Sequence, residues 1–115
     1  MKATQILSSI LAAAALMAAS AAVQASAPVD GAAATALAQR NACMACHAVD
    51  RRMVGPSYRD IATKYRGMDV AKLAASIRAG GSGKWGPVPM PAQPNLSEDN
   101  ARILAAWVLA GAPAR

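Results

Sequence analysis

Both cysteines and the only histidine of this 115-residue chain lie within five consecutive residues, Cys43-Met44-Ala45-Cys46-His47. The spacing is C-x-x-C-H. On a helical turn, residues i and i+3 face the same side, so the two thiols can point in one direction. His47 adds an imidazole directly after the second thiol. This cluster constrains the fold more than any other feature, because the rest of the chain must be arranged around whatever it binds.

Three interpretations of the cluster explain it poorly. A structural zinc site needs four ligands, and the chain has no second pair of Cys or His residues. A thioredoxin-like redox pair needs a βαβ context, which is absent. A disulfide across C-x-x-C closes too small a loop to stabilise much, and it leaves His47 without a role.

The attachment signature of c-type haem accounts for all three side chains. The thiols of Cys43 and Cys46 can bond to the two vinyl groups of one porphyrin, and His47 can ligate the iron as the proximal ligand. The sequence therefore predicts one covalently bound haem c.

The supply of large apolar side chains agrees with a core that is partly built from a cofactor. Residues 26–115 contain 22 residues of Val, Ile, Leu, Met, Trp or Tyr, and no Phe. A domain of this size is already marginal in the surface that it can bury. The length indicates a single domain and excludes a multidomain enzyme. A flat apolar haem would supply much of the missing area.

Residues 1–25 have the pattern of a cleaved secretory signal peptide. Lys2 precedes an uncharged, Ala-rich stretch, and small residues suited to cleavage follow it. Cleavage is expected after Ala25, with Ala27 as the alternative, so that residues 26–115 form the domain in the periplasm. The competing interpretation is an uncleaved anchor, but an Ala-rich stretch is only weakly hydrophobic. No stable membrane insertion is expected after cleavage.

The basic residues of the domain are scattered along the chain. Residues 26–115 carry 11 Lys or Arg and six Asp or Glu, a net charge of +5. A nucleic-acid surface would need clustered cations with exposed aromatic residues, and the sequence indicates neither. We expect no nucleic acid, and we expect redox proteins with acidic docking patches as partners.

Capping residues and apolar spacing predict four helices and no strand. Asp30, Ser57, Asp69 and Ser97 are each suited to begin a helix. Ser57 also resembles the start of a capping box, since Asp60 follows three residues later. The apolar positions expected to face the core in the third and fourth helices are Val70, Leu73 and Ile77, and Ile103, Leu104, Trp107 and Val108. Trp107 is expected to anchor the last helix against the first.

A proline-rich loop separates the third and fourth predicted helices. Residues 81–96 contain four prolines, which forbid a helix and stiffen the segment. Met90 stands between two of them and is the predicted second axial ligand. The other methionines of the domain lie within the attachment turn, shortly after His47, or between two helices: Met44, Met53 and Met68. A Met/His-ligated haem iron has no open position and a raised potential, which suits electron transfer.

Three motifs in this order resemble the small bacterial class I cytochromes c. They are Cys43-Met44-Ala45-Cys46-His47, Met53-Val54-Gly55-Pro56-Ser57-Tyr58 and Trp85-Gly86-Pro87-Val88-Pro89-Met90-Pro91. More narrowly, the chain resembles the compact monohaem type that carries electrons to nitrite reductase or a terminal oxidase. The resemblance implies an all-α fold of four or five helices wrapped around one haem c. It also implies that the Pro56 carbonyl accepts the Nδ1 proton of His47 and that Trp85 lies beside a haem propionate.

The sequence differs from the family that it resembles at two places expected to lie near the haem. Relatives carry an Arg on the third helix that pairs with a propionate, and the matching position here is Ser76. Arg78 is expected to be solvated. The stretch after Met90 is longer than usual, and either Gln93 or Asn95 could contact the Met90 sulfur.

We therefore expect a monomeric, periplasmic electron carrier that cycles between Fe(II) and Fe(III), and not an enzyme. Its donors would belong to a respiratory chain, and its acceptor would be a terminal reductase or oxidase. One alternative is a haem c subunit held in a larger oxidoreductase complex, with an exposed apolar patch beyond the haem edge. The other is a ligand sensor or peroxidase with an open iron position.

Removal of the haem should cost the domain most of its helix, because the chain has too few large apolar side chains to fill the centre alone. Circular dichroism of holoprotein and apoprotein measures the change. A well-folded apoprotein would contradict this prediction.

Overall fold

The computed structural model describes residues 28–115, which fold into four α-helices and one 3₁₀ turn. The helices are α1 (Gly31–Arg40), α2 (Tyr58–Lys64), α3 (Val70–Ala79) and α4 (Glu98–Leu109), and the 3₁₀ turn Cys43–Ala45 lies between α1 and α2. The predicted all-α architecture is confirmed. Among the helices of this region, none has the length and apolar character needed to cross a bilayer. The predicted signal peptide, with cleavage after Ala25 or Ala27, lies outside the described residues.

Each helix begins at the cap residue that the sequence predicts. The cap side chain accepts a hydrogen bond from a first-turn N–H at 2.9 Å for Asp30, 3.1 Å for Ser57, 2.7 Å for Asp69 and 3.1 Å for Ser97. Such a bond satisfies one of the N–H groups that a helix leaves without an intrahelical partner. The cap residues therefore fix where the four helices start.

Helix α4 is the central element, since it packs against α1, α2 and, most extensively, α3. Its buried residues follow the helical repeat: Ala101, Leu104, Ala105, Trp107 and Val108. Ile103 was expected on this face, but that prediction is wrong, because its side chain is 48% exposed. At 3.6 residues per turn, Ile103 lies beyond Trp107 at the margin of the buried arc, which is centred on Ala101, Leu104, Ala105 and Val108.

Trp107 is the largest fully buried side chain of the described region, with 1% of its surface exposed. Its ring meets that of Tyr58, at the start of α2, edge to face with centroids 5.1 Å apart. Its indole Nε1 donates a hydrogen bond of 2.9 Å to the carbonyl of Pro113. Trp107 thus contacts α2 through Tyr58, and it shares the core with Ala34, Leu37 and Ala38 of α1, against which the sequence predicted it to pack.

Trp107→Ala should lower the free energy of unfolding by about 3–5 kcal/mol, because it removes a buried aromatic ring and leaves a cavity. Ile103→Ala on the exposed side of the same helix should change it by less than about 0.5 kcal/mol. Urea unfolding of both variants, followed by circular dichroism, measures the difference. Similar losses in the two variants would contradict the assignment of Trp107 as the anchor of α4.

Candidate cofactor site

A cavity of about 450 Å³ lies between the 3₁₀ turn, helices α2 to α4, and the loop of residues 81–96. Its wall is mostly apolar, and its volume is within the range of small-molecule and cofactor pockets. The residues that line it include all six predicted site residues: Cys43, Cys46, His47, Pro56, Trp85 and Met90. One bound group could therefore contact all six.

The two thiols lie on the 3₁₀ turn at one side of the cavity. The turn is closed by backbone hydrogen bonds from the N–H groups of Cys46 and His47 to the carbonyl of Cys43, at 3.2 and 3.0 Å. Both cysteines are half-buried, and neither forms a disulfide. Burial raises the pKa of the Cys43 thiol, which is therefore protonated at neutral pH. Two free thiols thus face one apolar space.

The ring of His47 is held by its neighbours on three sides. Its Nδ1 lies 2.8 Å from the carbonyl oxygen of Pro56. The ring of Tyr58 stacks on it at a centroid distance of 5.2 Å and an interplanar angle of 20°. Gly55 borders the third side, where a Cβ would lie only 2.6 Å from Cε1 of His47. A carbonyl can only accept, so Nδ1 carries the proton and Nε2 keeps a lone pair for a metal.

Sequence reasoning named Pro56 but missed the roles of Gly55 and Tyr58. Both belong to the motif Met53-Val54-Gly55-Pro56-Ser57-Tyr58, which by itself indicates the family but not the contacts that these two residues make. The space requirement at Gly55 appears only once His47 has been placed against it. The motif was the available signal, but the contacts depend on the fold.

Met90 is fixed by its backbone to the end of α3. Its N–H donates to the Gly81 carbonyl at 2.8 Å, and its own carbonyl accepts from the Gly81 N–H at 3.0 Å. Gly80 ends α3 with a positive φ of 66°, a backbone conformation that favours glycine. A Cβ at Gly80 would collide with the Met90 carbonyl oxygen. Glycine at this position therefore allows the close approach.

Among the four methionines of residues 28–115, Met90 alone lines the cavity. Met53 is 40% exposed, and Met44 and Met68 pack against the hydrophobic core. The predicted ligand is therefore the one thioether of the described region that borders the same space as His47.

The two residues that the sequence could not separate lie in different surroundings. Gln93 lines the cavity, whereas Asn95 is exposed and does not.

Ser76 lines the cavity from α3. Arg78 is exposed and does not line the cavity, as expected, and its Nε also donates to the Leu96 carbonyl at 3.0 Å.

Trp85 lies at the mouth of the cavity among basic side chains. The Nζ of Lys64 is 4.3 Å from the centre of a Trp85 ring, a cation–π distance. The guanidinium of Arg52 donates to the Trp85 carbonyl at 2.8 Å. Tyr65 packs edge-on against the indole at 6.0 Å. Within residues 28–115, the indole N–H has no acceptor and stays available to a bound group.

The donor set of the site fits a haem. Residues 28–115 contain no group of three or more His, Cys, Asp or Glu side chains that could hold a metal ion on their own. The site offers instead two thiols, one imidazole and one thioether around an apolar cavity. A porphyrin supplies four nitrogen ligands itself and needs only axial ligands and covalent tethers from the protein.

A protein-family model described as "Cytochrome C oxidase, cbb3-type, subunit III" matches residues 29–108. The cytochrome c-551 of Pseudomonas aeruginosa is 50% identical over 76 residues, which cover 64% of this chain and 71% of that protein.

Solved structures agree with the sequence matches. The crystal structure of Nitrosomonas europaea cytochrome c552 is 45% identical and has a TM-score of 0.64, covering 66% of this chain and 96% of that one. The class 1 cytochrome MtoD from Sideroxydans lithotrophicus is 32% identical with a TM-score of 0.61, covering 75% and 100%. The chain thus belongs to the small class I cytochromes c and carries one covalently bound haem c.

Proposed function

We propose that this chain is a periplasmic one-electron carrier whose haem is tethered by Cys43 and Cys46 and ligated by His47 and Met90. The observation that carries the proposal is that His47, with its Nδ1 bonded to Pro56, and Met90 line the same cavity. When bound, the haem supplies reversible one-electron chemistry between Fe(II) and Fe(III). The periplasmic location rests on the signal-peptide pattern of residues 1–25.

The residues around the ligands hold them and exclude water. The Pro56 carbonyl selects the His47 tautomer with a free Nε2, and stacking on Tyr58 fixes the ring plane. The apolar wall of the cavity limits solvent access, which, together with a thioether ligand, favours a raised potential. If His47 and Met90 both bind the iron, the bound haem would have no position left for a substrate, which suits a carrier rather than an enzyme.

The mouth of the cavity is suited to carboxylates and to protein partners. The free indole N–H of Trp85 and the cation of Lys84, both lining the cavity, are donors for a haem propionate. Val54 and Val88, 52% and 57% exposed, give this edge an apolar contact area. We propose that a partner with an acidic patch docks here briefly and weakly, as turnover requires, and that the carrier is a monomer.

A haem c subunit held in an oxidase complex is the second candidate, because the matching family model is described as an oxidase subunit. A subunit needs a permanent interface beyond the haem edge. Among residues 28–115, the exposed large apolar side chains that do not line the cavity are Met53 and Ile103, too few for a permanent apolar interface. Gel filtration of the protein from its native source separates the candidates: a free carrier elutes at the mass of the domain, and a subunit elutes with its complex.

Met90→Ala should lower the reduction potential by on the order of 100 mV, a fraction of the roughly 0.8 V over which axial ligands tune haem potentials. The open position should also let the reduced protein bind carbon monoxide, which the parent should bind little. A redox titration and an optical carbon monoxide titration measure the two effects.

Met53→Ala is the matched control, since Met53 is exposed and does not line the cavity. It should leave the potential and the carbon monoxide affinity unchanged. Ready carbon monoxide binding by the parent protein would overturn the ligand assignment and favour a sensor or peroxidase.

Electron transfer to an acidic partner should slow as salt rises, because attraction between opposite charges increases the rate of encounter and salt screens it. Lys84→Glu at the cavity mouth should reduce the second-order rate constant several-fold at low salt. Lys72→Glu, an exposed position on α3 that does not line the cavity, should have a smaller effect. Stopped-flow kinetics at several ionic strengths tests the site of docking, and equal effects of both variants would contradict it.

A further inference from the structure

Three side-chain hydrogen bonds of the described residues join positions more than ten apart in sequence, and all three end on the loop of residues 81–96, here called the Met90 loop. Each runs from a cation to a backbone carbonyl of this loop. The pairs are Arg52 with Trp85 at 2.8 Å, Lys64 with Lys84 at 2.8 Å, and Arg78 with Leu96 at 3.0 Å.

The composition of the loop explains why it needs donors from outside. Its four prolines have no N–H, so the loop has more backbone acceptors than donors. A long cationic side chain can reach such a carbonyl, and hydrogen bonds from charged donors are stronger than those between neutral groups. Within residues 28–115, the one ion pair is Arg102 with Glu98 on α4. The cations that hold the loop are therefore not engaged by carboxylates in this region.

Arg78 makes two contacts with the part of the loop that follows Met90. Its carbonyl accepts from the Gln93 N–H at 2.9 Å, and its guanidinium Nε donates to Leu96. Just before this part, the paired hydrogen bonds between Gly81 and Met90 join the loop to the end of α3. The segment from Met90 to Leu96 is thus held against α3 at both of its ends.

We propose that Arg78 is a positioning residue that keeps the Met90 thioether at the haem iron. It does so by fixing residues 91–96, the part of the Met90 loop after the methionine, to α3. The proposal rests on the proposed ligation by Met90. Loss of the Arg78 side-chain bond would weaken the hold of residues 91–96 on α3, so that the bridge between Gly81 and Met90 opens more often, while the buried Leu96 side chain stays in the core. The fraction of molecules with Met90 displaced would then rise, and an external ligand would bind the iron more tightly by that factor.

The test is an optical titration of the ferric holoprotein with imidazole. Arg78→Met keeps much of the apolar stem and removes the donor, and it should raise the affinity for imidazole about five- to tenfold, the range expected for one ordinary hydrogen bond, since Arg78 is exposed. Arg78→Lys keeps the charge but loses the planar Nε donor, and its affinity should lie between those of wild type and Arg78→Met.

Lys72→Met is the matched control, because it removes one exposed cation from the same helix. Its affinity for imidazole should stay within about twofold of wild type. A rise in Arg78→Met no larger than that of Lys72→Met would overturn the proposal. The proposal would also be overturned if the affinity for imidazole rose in every variant in proportion to the fall in its urea midpoint. The rise would then report a general loss of stability. If Arg78→Met does not fold, Arg78→Lys decides: a rise above twofold supports the proposal, and no rise overturns it.

Met90→Ala separates failure of this inference from failure of the proposed ligand. If Met90→Ala binds imidazole no better than wild type, then Met90 is not the ligand. If Met90→Ala binds imidazole far more tightly but Arg78→Met does not, the ligand assignment stands and only the positioning role of Arg78 is wrong.

Discussion

The hydrogen bond between His47 Nδ1 and the Pro56 carbonyl is the contact from which the cofactor side of the molecule is organised. It joins the C-x-x-C-H turn to the residue directly before the cap of α2, so the histidine and the helix are placed together. Tyr58, one residue after the cap, then stacks on His47 with one face and meets Trp107 of α4 with its edge. A single turn of chain therefore couples the proposed iron ligand to the centre of the hydrophobic core.

The part of the cavity wall that contains Met90 is held by a different kind of contact. Among residues 28–115, no aromatic ring stacks on Met90. The loop that carries it is fixed by backbone pairing with Gly81 and by cations that reach its carbonyls. Part of the positive charge of the domain thus has a structural use, in addition to any role in attracting partners. Basic side chains that the sequence predicts to be solvated therefore help to hold the Met90 loop in place.

The sequence predicted those features that depend on neighbours along the chain. Cap residues such as Asp30 and Ser97 act within one turn, and the spacing of Cys43, Cys46 and His47 is itself local. Met90 could be singled out because prolines flank it. Contacts across the fold could not be predicted in this way: the Lys64 bond to the loop spans 20 residues and depends on how α2 packs. Ile103 was misassigned because its apolar character did not decide its face on α4.

The pairing of Gly81 with Met90 brings the two ends of residues 82–89 side by side. A segment whose ends already meet can be exchanged as one piece without moving the chain on either side, because closure of the loop does not depend on its interior. This stretch contains Trp85, Lys84 and Val88, which together form much of the cavity mouth. The surface proposed to contact partners can therefore change as one segment, while the frame that holds the proposed iron ligands stays the same.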